Sequence, residues 1–279
     1  MKNGKKLAVL IMAAMMIFSL AACGGSKSGS SADSMGGKDA TMGKSLDAIK
    51  SAGKIVMATN PDFPPFESLQ TDGSIDGIEV ELMKKIAGKL GVELEMVPMD
   101  FKSVLPSIQG GLYDIGVSGI SVTDERKEYV SFTDPYFMSA QAIVVLADGN
   151  IKSKADLEGK SVSVQTGTTA ESYTKANGYD VKVYQTNLDA EQAVAKGKVD
   201  AWIIDKLPAM AMVAEFNDYF TDKQLMILDE AMTTEPYAFA FQMGSDDLLK
   251  TVNDALKELV ADGTVEALFE KYDAPYLAP

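Results

Sequence analysis

The stretch that decides the fold of this chain is VSGISVTDERKEYVSFTDPY, residues 117–136. A short apolar run, residues 114–117, leads into it, and the chain then changes to small and hydroxyl residues and enters a charged turn. Open α/β sheets bind their ligands at this kind of position, beyond the carboxyl end of a strand. Arg126, which lies in the turn, carries a planar fork of donors that matches a carboxylate. The stretch is therefore either a ligand-binding turn or an ordinary strand-to-helix turn with a surface arginine.

The same stretch resembles a segment of the polar amino-acid-binding proteins of ABC importers, the family 3 solute-binding proteins. In that family a Ser-x-Ser-x-Thr-x-x-Arg segment is followed a few residues later by Phe-(Ser/Thr)-x-Pro-Tyr. The corresponding segments here are residues 119–126 and 132–136, with Gly119 in place of the first serine. Further motifs follow in the family's order, so that the resemblance runs over residues 54–272.

The resemblance implies an α/β chain with a two-lobed periplasmic-binding-protein-like (type II) fold. Two Rossmann-like lobes are then joined by two crossover strands, expected at residues 140–146 and 235–241. The expected first lobe is formed by residues 44–139 and 235–279, and the second by residues 140–234.

Hydrophobic periodicity supports alternating strands and helices. The predicted strands are residues 54–59, 92–96, 160–165, 181–184 and 199–204. The predicted helices are residues 77–90, 188–196, 206–215, 245–261 and 264–272.

The beginning of the chain is predicted to lie outside this fold. Three lysines among the first six residues precede an apolar run, residues 7–20, that is too short for a membrane helix and is typical of a secretory signal. Residues 1–22 are therefore a predicted lipoprotein signal peptide. Cys23 follows Leu-Ala-Ala, as in a bacterial lipobox, and is the predicted lipidation site. Residues 23–43 are rich in Gly and Ser and are predicted to form a flexible tether.

The composition excludes several classes of protein. The chain has no histidine and a single cysteine, which removes Ser–His and Cys–His nucleophile pairs and the common zinc sites. It contains no Walker loop and no Gly-x-Gly-x-x-Gly fingerprint, and we expect no cofactor. A formal net charge of −14 without a basic stripe argues against binding to nucleic acid.

Candidate ligand residues follow the predicted strands of the first lobe. Asn60 and Phe63 lie on a proline-rich stretch directly after one strand, and Phe101 lies in a turn after the next. The alternative for these aromatic side chains is that they only cover the core. For Phe66, a core position is as much expected as a contact with the ligand. In the family, the positions that match Phe63 and Phe101 enclose the ligand side chain, and the position that matches Asn60 points a polar group at it.

The second lobe offers a matching set. Gln165 ends a predicted strand, and Thr168 with Glu171 fits a capping box at a helix start, where free N–H groups attract an anion. The family's carboxylate clamp matches Thr168 and Thr169, although a helix cap alone explains these threonines. Asp205 ends another strand and either caps the next helix or, as in the family, pairs with an α-ammonium group.

Together these residues describe a site for a free α-amino acid between the lobes. The residues expected to hold its carboxylate are Arg126, Ser121, Thr168 and Thr169. Those expected to hold its ammonium group are Asp205 and the backbone carbonyl groups near Ser118 and Gly119. We expect hinge closure around the ligand and delivery of the ligand to a cognate ABC permease. The protein is expected to be a monomer on the extracytoplasmic side of a bacterial envelope, attached to the cell membrane only through its N-terminal lipid.

The expected ligand is a neutral polar amino acid such as glutamine. Family members that bind basic amino acids often have aspartate at the position of Asn60, and Gln165 is neutral as well. Two other functions remain open. One is a lyase resembling cyclohexadienyl dehydratase, for which Glu67 is the nearest general acid, and the other is a surface adhesin.

Overall fold

The computed structural model describes residues 43–279. The predicted signal peptide, Cys23 and residues 23–42 of the predicted tether lie outside the described residues. Within residues 43–279, no helix has both the length and the apolar character needed to span a membrane.

The first sheet brings together strands from both ends of the described chain. Its order is β5–β1–β6–β15–β7, in which β1 pairs in parallel with β5 and β6 while β15 pairs antiparallel with β6 and β7. Its strands are β1 (Lys54–Thr59), β5 (Glu93–Pro98), β6 (Ile115–Gly116), β7 (Val130–Phe132) and β15 (Ala240–Gln242). The predicted strand over residues 54–59 is confirmed.

Helices cover this sheet. They are α1 (Leu46–Ala52), α2 (Ile78–Leu90), α3 (Phe101–Gln109), α4 (Asp124–Lys127), α8 (Asp246–Ala261) and α9 (Thr264–Lys271). The prediction of α2 is confirmed, because its apolar residues at every fourth position, Ile78, Leu82, Ile86 and Leu90, are all buried. The helix ends at Gly91 in the left-handed conformation.

The second sheet is built from the middle of the chain. Its order is β11–β10–β12–β9–β13, with β10 parallel to β11 and β12 and with β9 antiparallel to β12 and β13. Its strands are β9 (Gln141–Leu146), β10 (Ser161–Gln165), β11 (Asp180–Tyr184), β12 (Ala201–Asp205) and β13 (Leu225–Ile227). Its helices are α5 (Thr169–Ala176), α6 (Asn187–Ala195) and α7 (Lys206–Tyr219), with a 3-10 helix at Lys154–Leu157.

The chain segments that link the two sheets differ from the prediction. Residues 141–146 do not cross between the sheets, because they form β9 inside the second sheet. The link is instead a separate antiparallel pair, β8 (Phe137–Ser139) with β14 (Glu235–Tyr237). The predicted strand over residues 235–241 is also interrupted, because it is divided into β14 and β15, which belong to different sheets. Residues 237–241 are all buried. We use the term lobe for each five-stranded sheet with its helices; the exact lobe boundaries stay a prediction.

The proline-rich stretch after β1 is more regular than expected. The prolines do not prevent a two-residue strand, β2 (Asp62–Phe63), which pairs with β3 (Glu67–Leu69), and β3 pairs with β4 (Ile75–Asp76). Phe66 is fully buried and its ring packs against Phe137, Tyr237 and Phe269 at centroid distances of 5.3–5.9 Å. The interpretation of Phe66 as a core residue is therefore confirmed.

Candidate functional site

The carboxyl ends of the parallel strands carry the candidate residues. In the first lobe Asn60 directly follows β1, and Ser118 lies two residues beyond β6. In the second lobe Gln165 is the last residue of β10, and Asp205 is the last residue of β12. Because parallel strands end at the same edge of their sheet, each lobe presents its polar residues along one edge.

Ten of the eleven residues predicted to bind ligand line one small cavity. They are Asn60, Phe63, Phe101, Gly119, Ser121, Arg126, Gln165, Thr168, Thr169 and Asp205. The space open to the centre of a water molecule is about 20 Å³, enough for roughly one water. An amino acid is much larger, so the walls must separate or side chains must turn for one to enter.

Arg126 is held between the lobes. Its side chain is 6% exposed, and α4 presents it from a first turn that Thr123 caps by accepting from the Arg126 N–H at 3.1 Å. Nη1 donates to the Ser121 carbonyl oxygen at 2.8 Å, and Nη2 donates to the Gly167 carbonyl oxygen at 3.2 Å. Burial lowers the pKa of the guanidinium, which nevertheless stays charged in any folded protein. Its remaining N–H groups are available to a carboxylate.

Asp205 carries the opposite charge on the same cavity. It stands at the N-cap position of α7, but its side chain makes no capping hydrogen bond. Oδ1 instead accepts from the Ser139 hydroxyl at 2.7 Å, so the alternative of a capping side chain is wrong. Burial raises the pKa of Asp205 to about 7, and the nearby Glu235 charge adds to the shift while Ser139 opposes it.

Glu235 is a third buried charge that the sequence interpretation missed. Its Oε2 accepts from the Ser121 hydroxyl at 2.5 Å and from the Thr169 hydroxyl at 2.7 Å, and its Oε1 accepts from Thr233 at 2.8 Å. Two of the three hydroxyls that were expected to hold a ligand carboxylate, those of Ser121 and Thr169, therefore have an acceptor within the protein. The sequence did contain a signal for Glu235, because this charged residue begins an apolar strand. Charged residues are rarely buried unless they are paired, so a buried Glu235 indicates partners.

Thr168 acts as a helix cap as well as a cavity wall. Its hydroxyl accepts from the Glu171 N–H at 3.2 Å and donates to the Gln165 carbonyl oxygen at 2.8 Å. The start of α5 is thus confirmed, but the capping box is incomplete because the Glu171 carboxylate accepts from the Gly167 N–H at 2.6 Å. Thr168 and Thr169, at the N-terminus of α5, line the cavity, and a helix N-terminus favours an anion.

Two neutral amide side chains that line the cavity, those of Asn60 and Gln165, belong to one hydrogen-bonded chain. Asn60 donates from Nδ2 to the Met99 carbonyl oxygen at 3.0 Å and accepts at Oδ1 from Gln165 Nε2 at 2.9 Å. Gln165 in turn accepts at Oε1 from Asn187 Nδ2 at 3.1 Å. Asn187, which the sequence interpretation did not identify, extends this chain of amides within the second lobe.

The aromatic walls depend on Gly119. Its φ is +51°, and a Cβ atom built there would lie 2.4 Å from Cε1 of Phe63, so a side chain and the ring cannot both occupy their positions. The absence of the serine expected from the family thus allows Phe63 to approach the turn closely. Phe101, at the start of α3, packs its ring against the Arg126 guanidinium, with the central carbon 5.7 Å from the ring centroid.

Ser118 is the one predicted residue that does not line the cavity. Its hydroxyl accepts from the Asn60 N–H at 3.0 Å and donates to Glu67 at 3.0 Å. Behind it, Glu79 accepts from the Gly119 N–H at 2.8 Å and from the Tyr136 hydroxyl. Burial, together with the neighbouring Glu79, raises the pKa of Glu67 well above its usual range. Glu67 therefore lies behind the turn, outside the cavity lining, where it supports the wall.

Among residues 43–279, no three or more His, Cys, Asp or Glu side chains are grouped so as to hold a metal ion. Within the cavity lining, Arg126 and Asp205 are the charged side chains. The arrangement therefore offers one positive and one negative group to a ligand, with neutral amides and aromatic rings around the rest.

Known proteins are similar to this chain over most of its length. The sequence pattern of the bacterial extracellular solute-binding proteins, family 3, matches residues 55–274. The L-cystine-binding protein TcyJ of Escherichia coli (strain K12) is 35% identical over 231 residues, which cover 81% of this chain and 85% of that protein. The arginine-binding extracellular protein ArtP of Bacillus subtilis (strain 168) is 35% identical over 273 residues, which cover 96% of this chain and 98% of that protein.

Solved structures show the same two-lobed fold. Holo ArgBP from T. maritima superposes with a TM-score of 0.73 at 37% identity, covering 82% of this chain and 99% of that one. The ancestral amino acid-binding protein AncCDT-1, a precursor of cyclohexadienyl dehydratase, superposes with a TM-score of 0.74 at 35% identity, covering 81% and 98%. The chain belongs to the bacterial extracellular solute-binding proteins, family 3.

Proposed function

We propose that the cavity binds one free α-amino acid, which this protein delivers to the permease of an ABC importer. The observation that carries the proposal is a pair of opposite charges. Arg126 and Asp205 are both buried, and both are among the ten residues that line the cavity. Buried charges are costly unless they are paired. An α-amino acid supplies both partners at once, a carboxylate for Arg126 and an ammonium group for Asp205.

The contacts around these charges support the assignment of the two ends. The carboxylate end lies toward Arg126 and the first turn of α5, where Thr168 and Thr169 line the wall. The ammonium end lies toward Asp205 and the backbone near Ser118 and Gly119. Phe63 and Phe101 then flank the ligand side chain, which points toward Asn60 and Gln165.

The lining favours a neutral polar side chain. Among residues 43–279, charged side chains other than Arg126 and Asp205 do not line the cavity, and the amides of Asn60 and Gln165 offer donors and acceptors without charge. A guanidinium or a second carboxylate on the ligand would be buried there without a counter-charge. ArtP and ArgBP are arginine-binding proteins and TcyJ is a cystine-binding protein. Our proposal for this chain is a neutral ligand of the glutamine type.

A binding protein is favoured over a lyase. The similarity to AncCDT-1 connects this fold to a dehydratase, but the similar proteins TcyJ and ArtP are binding proteins. Glu67, the candidate general acid, is fully buried and lies outside the cavity lining. We therefore assign no catalytic residue.

The cellular setting belongs to the same proposal. Lipidation of Cys23 would hold the protein at the extracytoplasmic face of the cell membrane, on a tether of residues 23–43. The first lobe would comprise residues 44–139 and 235–279 and the second lobe residues 140–234, with β8 and β14 as the hinge. The protein would act as a monomer, because the cavity is complete within one chain.

Thermal unfolding tests the proposal. The purified protein is unfolded, washed and refolded to remove any carried ligand, and its melting temperature is then measured with each standard amino acid. A ligand at a thousandfold its Kd adds about 4 kcal/mol to the free energy of unfolding, a shift of several degrees. We expect such a shift with glutamine or a similar neutral amino acid, and its loss in the variants Arg126→Ala and Asp205→Ala.

Other outcomes separate the parts of the proposal. A shift with arginine or lysine alone would keep the function and contradict the neutral ligand. No shift with any amino acid, together with release of product from prephenate or arogenate, would replace the binding function with the lyase.

A further inference from the structure

A second groove lies at the edge of the interlobe cleft, apart from the amino-acid cavity. It has a volume of about 350 Å³ and is lined from the first lobe by residues of the β2–β3 hairpin and from the second lobe by residues of α6 and α7. The side chains that matter below are Asp62, Leu69, Glu191, Glu215, Phe216 and Phe220. It shares no lining residue with the amino-acid cavity.

Glu191 is the unusual residue of this groove. Its side chain is 4% exposed, and its Oε1 is buried without a hydrogen-bond partner among the residues that the structure describes. A carboxylate buried in this way costs several kcal/mol unless a proton or a cation accompanies it. The fold therefore maintains an acidic group at this place without providing its partner.

The surrounding charges are also negative. Asp62 on β2 and Glu215 on α7 line the same groove, and no Lys or Arg of the described part of the chain lines it. Burial raises the pKa of Glu191 to about 7, and the charges of Glu215 and Asp62 add to the shift. Burial also raises the pKa of Asp62 to about 6, with Asp189 adding to it and the N–H groups of Asn187 and Leu188 opposing it. All these groups favour a cation at the groove.

The walls of the groove are apolar and partly open to solvent. Leu69 is 60% exposed, Tyr219 77% and Phe220 47%, and the rings of Phe216 and Phe220 lie 4.7 Å apart. Such walls suit an alkyl chain, and aromatic faces attract cations. A bare inorganic ion has no alkyl chain to bury against them.

We propose that this groove binds an alkylammonium or alkylguanidinium group, with Glu191 as its counter-charge. The group is carried either by a free small molecule or by a basic side chain of a partner protein. Because the groove has walls from both lobes, its occupant stabilises the closed arrangement and is coupled to amino-acid binding.

The test uses two probes with the same cationic group. One is n-butylguanidinium, and the other is the capped tripeptide acetyl-Leu-Arg-Leu-amide, which has neither the free carboxylate nor the free ammonium group of an amino acid. Titration calorimetry of the full protein at pH 8 measures the Kd of each. Tighter binding of butylguanidinium indicates a small-molecule source, and tighter binding of the tripeptide indicates a partner side chain.

Variants assign the binding to this groove. Glu191→Gln keeps the shape of the side chain and is expected to weaken the Kd at least tenfold. Glu158→Gln, at an exposed acid outside both the groove and the amino-acid cavity, should leave it unchanged. The neutral isostere n-butylurea should not bind.

The wild-type protein alone gives an independent arm. Since the cation competes with a proton on Glu191, its Kd should weaken about tenfold between pH 8 and pH 6. The proposal is overturned if neither probe binds, or if the Kd is the same in Glu191→Gln. Either result would mean that Glu191 is only a protonated carboxyl group in the wall of the groove.

Discussion

In the proposed site, the protonation of Asp205 determines whether the cavity can hold the ammonium group of a ligand. Burial raises its pKa to about 7, so a protonated, neutral form is abundant below that pH. An ammonium ligand pairs only with the ionised form, and binding below pH 7 therefore releases a proton. The affinity for the amino acid should fall about tenfold between pH 8 and pH 6, as titration calorimetry over this range will show.

Two variants shift this pH profile in opposite directions. Ser139 donates to Asp205 and opposes the rise of its pKa, so Ser139→Ala should move the midpoint to higher pH. The Glu235 charge adds to the rise, so Glu235→Gln should move the midpoint to lower pH. An affinity that does not change between pH 6 and pH 8 in the wild-type protein would contradict this role of Asp205.

Gly119 sets the position of the Phe63 ring. A Cβ atom at this position would lie 2.4 Å from Cε1 of Phe63, and the backbone has φ +51°. Gly119→Ala should cost about 1–2 kcal/mol in the free energy of unfolding and weaken amino-acid binding, because the ring is displaced. Denaturant unfolding and titration calorimetry measure the two effects.

A double-mutant cycle separates the clash from the backbone strain. Phe63→Leu removes the ring edge, so part of the binding loss caused by Gly119→Ala should disappear in the double variant. If the losses in the two single variants simply add, the close contact between these residues does not shape the cavity.

The candidate residues could be predicted because most of them stand in motifs at the ends of strands. Asn60 and Asp205 stand directly at strand ends, Arg126 stands in the motif that follows β6, and all three line the cavity. Glu235 and Asn187 could not be predicted in the same way. Their roles depend on partners that are distant in sequence. Glu235 accepts from Ser121 and Thr169. Asn187 donates to Gln165 and Asp62.

At the scale of elements, the β2 strand of the first lobe is joined to the start of α6 in the second lobe. Asn187 donates its backbone N–H to Asp62 Oδ2 at 2.6 Å and its side-chain amide to the Asp62 carbonyl oxygen at 3.1 Å. The carboxylate also faces the positive end of the α6 dipole. These contacts can form only when the lobes are close together, so they favour the closed arrangement.

Asp62→Asn should therefore weaken amino-acid binding although Asp62 does not line the cavity. A hydrogen bond to a charged group contributes roughly 1.5–3 kcal/mol, so we expect a Kd about tenfold higher, mostly through faster dissociation measured by stopped flow. Asp148→Asn, at an exposed residue of the second lobe, is the matched control. An unchanged dissociation rate in Asp62→Asn would show that this contact does not contribute to closure.

Elements with strong periodicity were predicted well, and the connections between sheets were not. The amphipathic pattern of α2 specifies one apolar face that must be buried, and this holds whichever element packs against it. The run over residues 140–146 is apolar in the same way whether it crosses between lobes or lies within a sheet, and its position in β9 depends on pairing with β12 and β13. Pairing between distant strands has no local signal in the sequence.

At the scale of the whole molecule, each lobe supplies what the other lacks. The first lobe contributes Arg126 and the aromatic walls, and the second contributes Asp205 and the first turn of α5. In the proposed function, recognition of both charged groups of an amino acid therefore requires closure of the two lobes. The two-lobed fold was predicted through the resemblance to known binding proteins, because composition and periodicity alone indicate only an α/β protein.

The most direct test of this account removes one charge of the ligand at a time. The refolded protein is titrated with glutamine, with 4-aminobutanamide, which lacks the α-carboxylate, and with 4-carbamoylbutanoic acid, which lacks the α-amino group. If the unfolding measurements identify another amino acid, its corresponding analogues replace these. Leaving Arg126 or Asp205 buried without its partner costs about 3–5 kcal/mol, so each analogue should bind at least about a hundredfold more weakly than the amino acid. An analogue that binds within about tenfold of the amino acid would contradict the claim that this cavity recognises both charged groups.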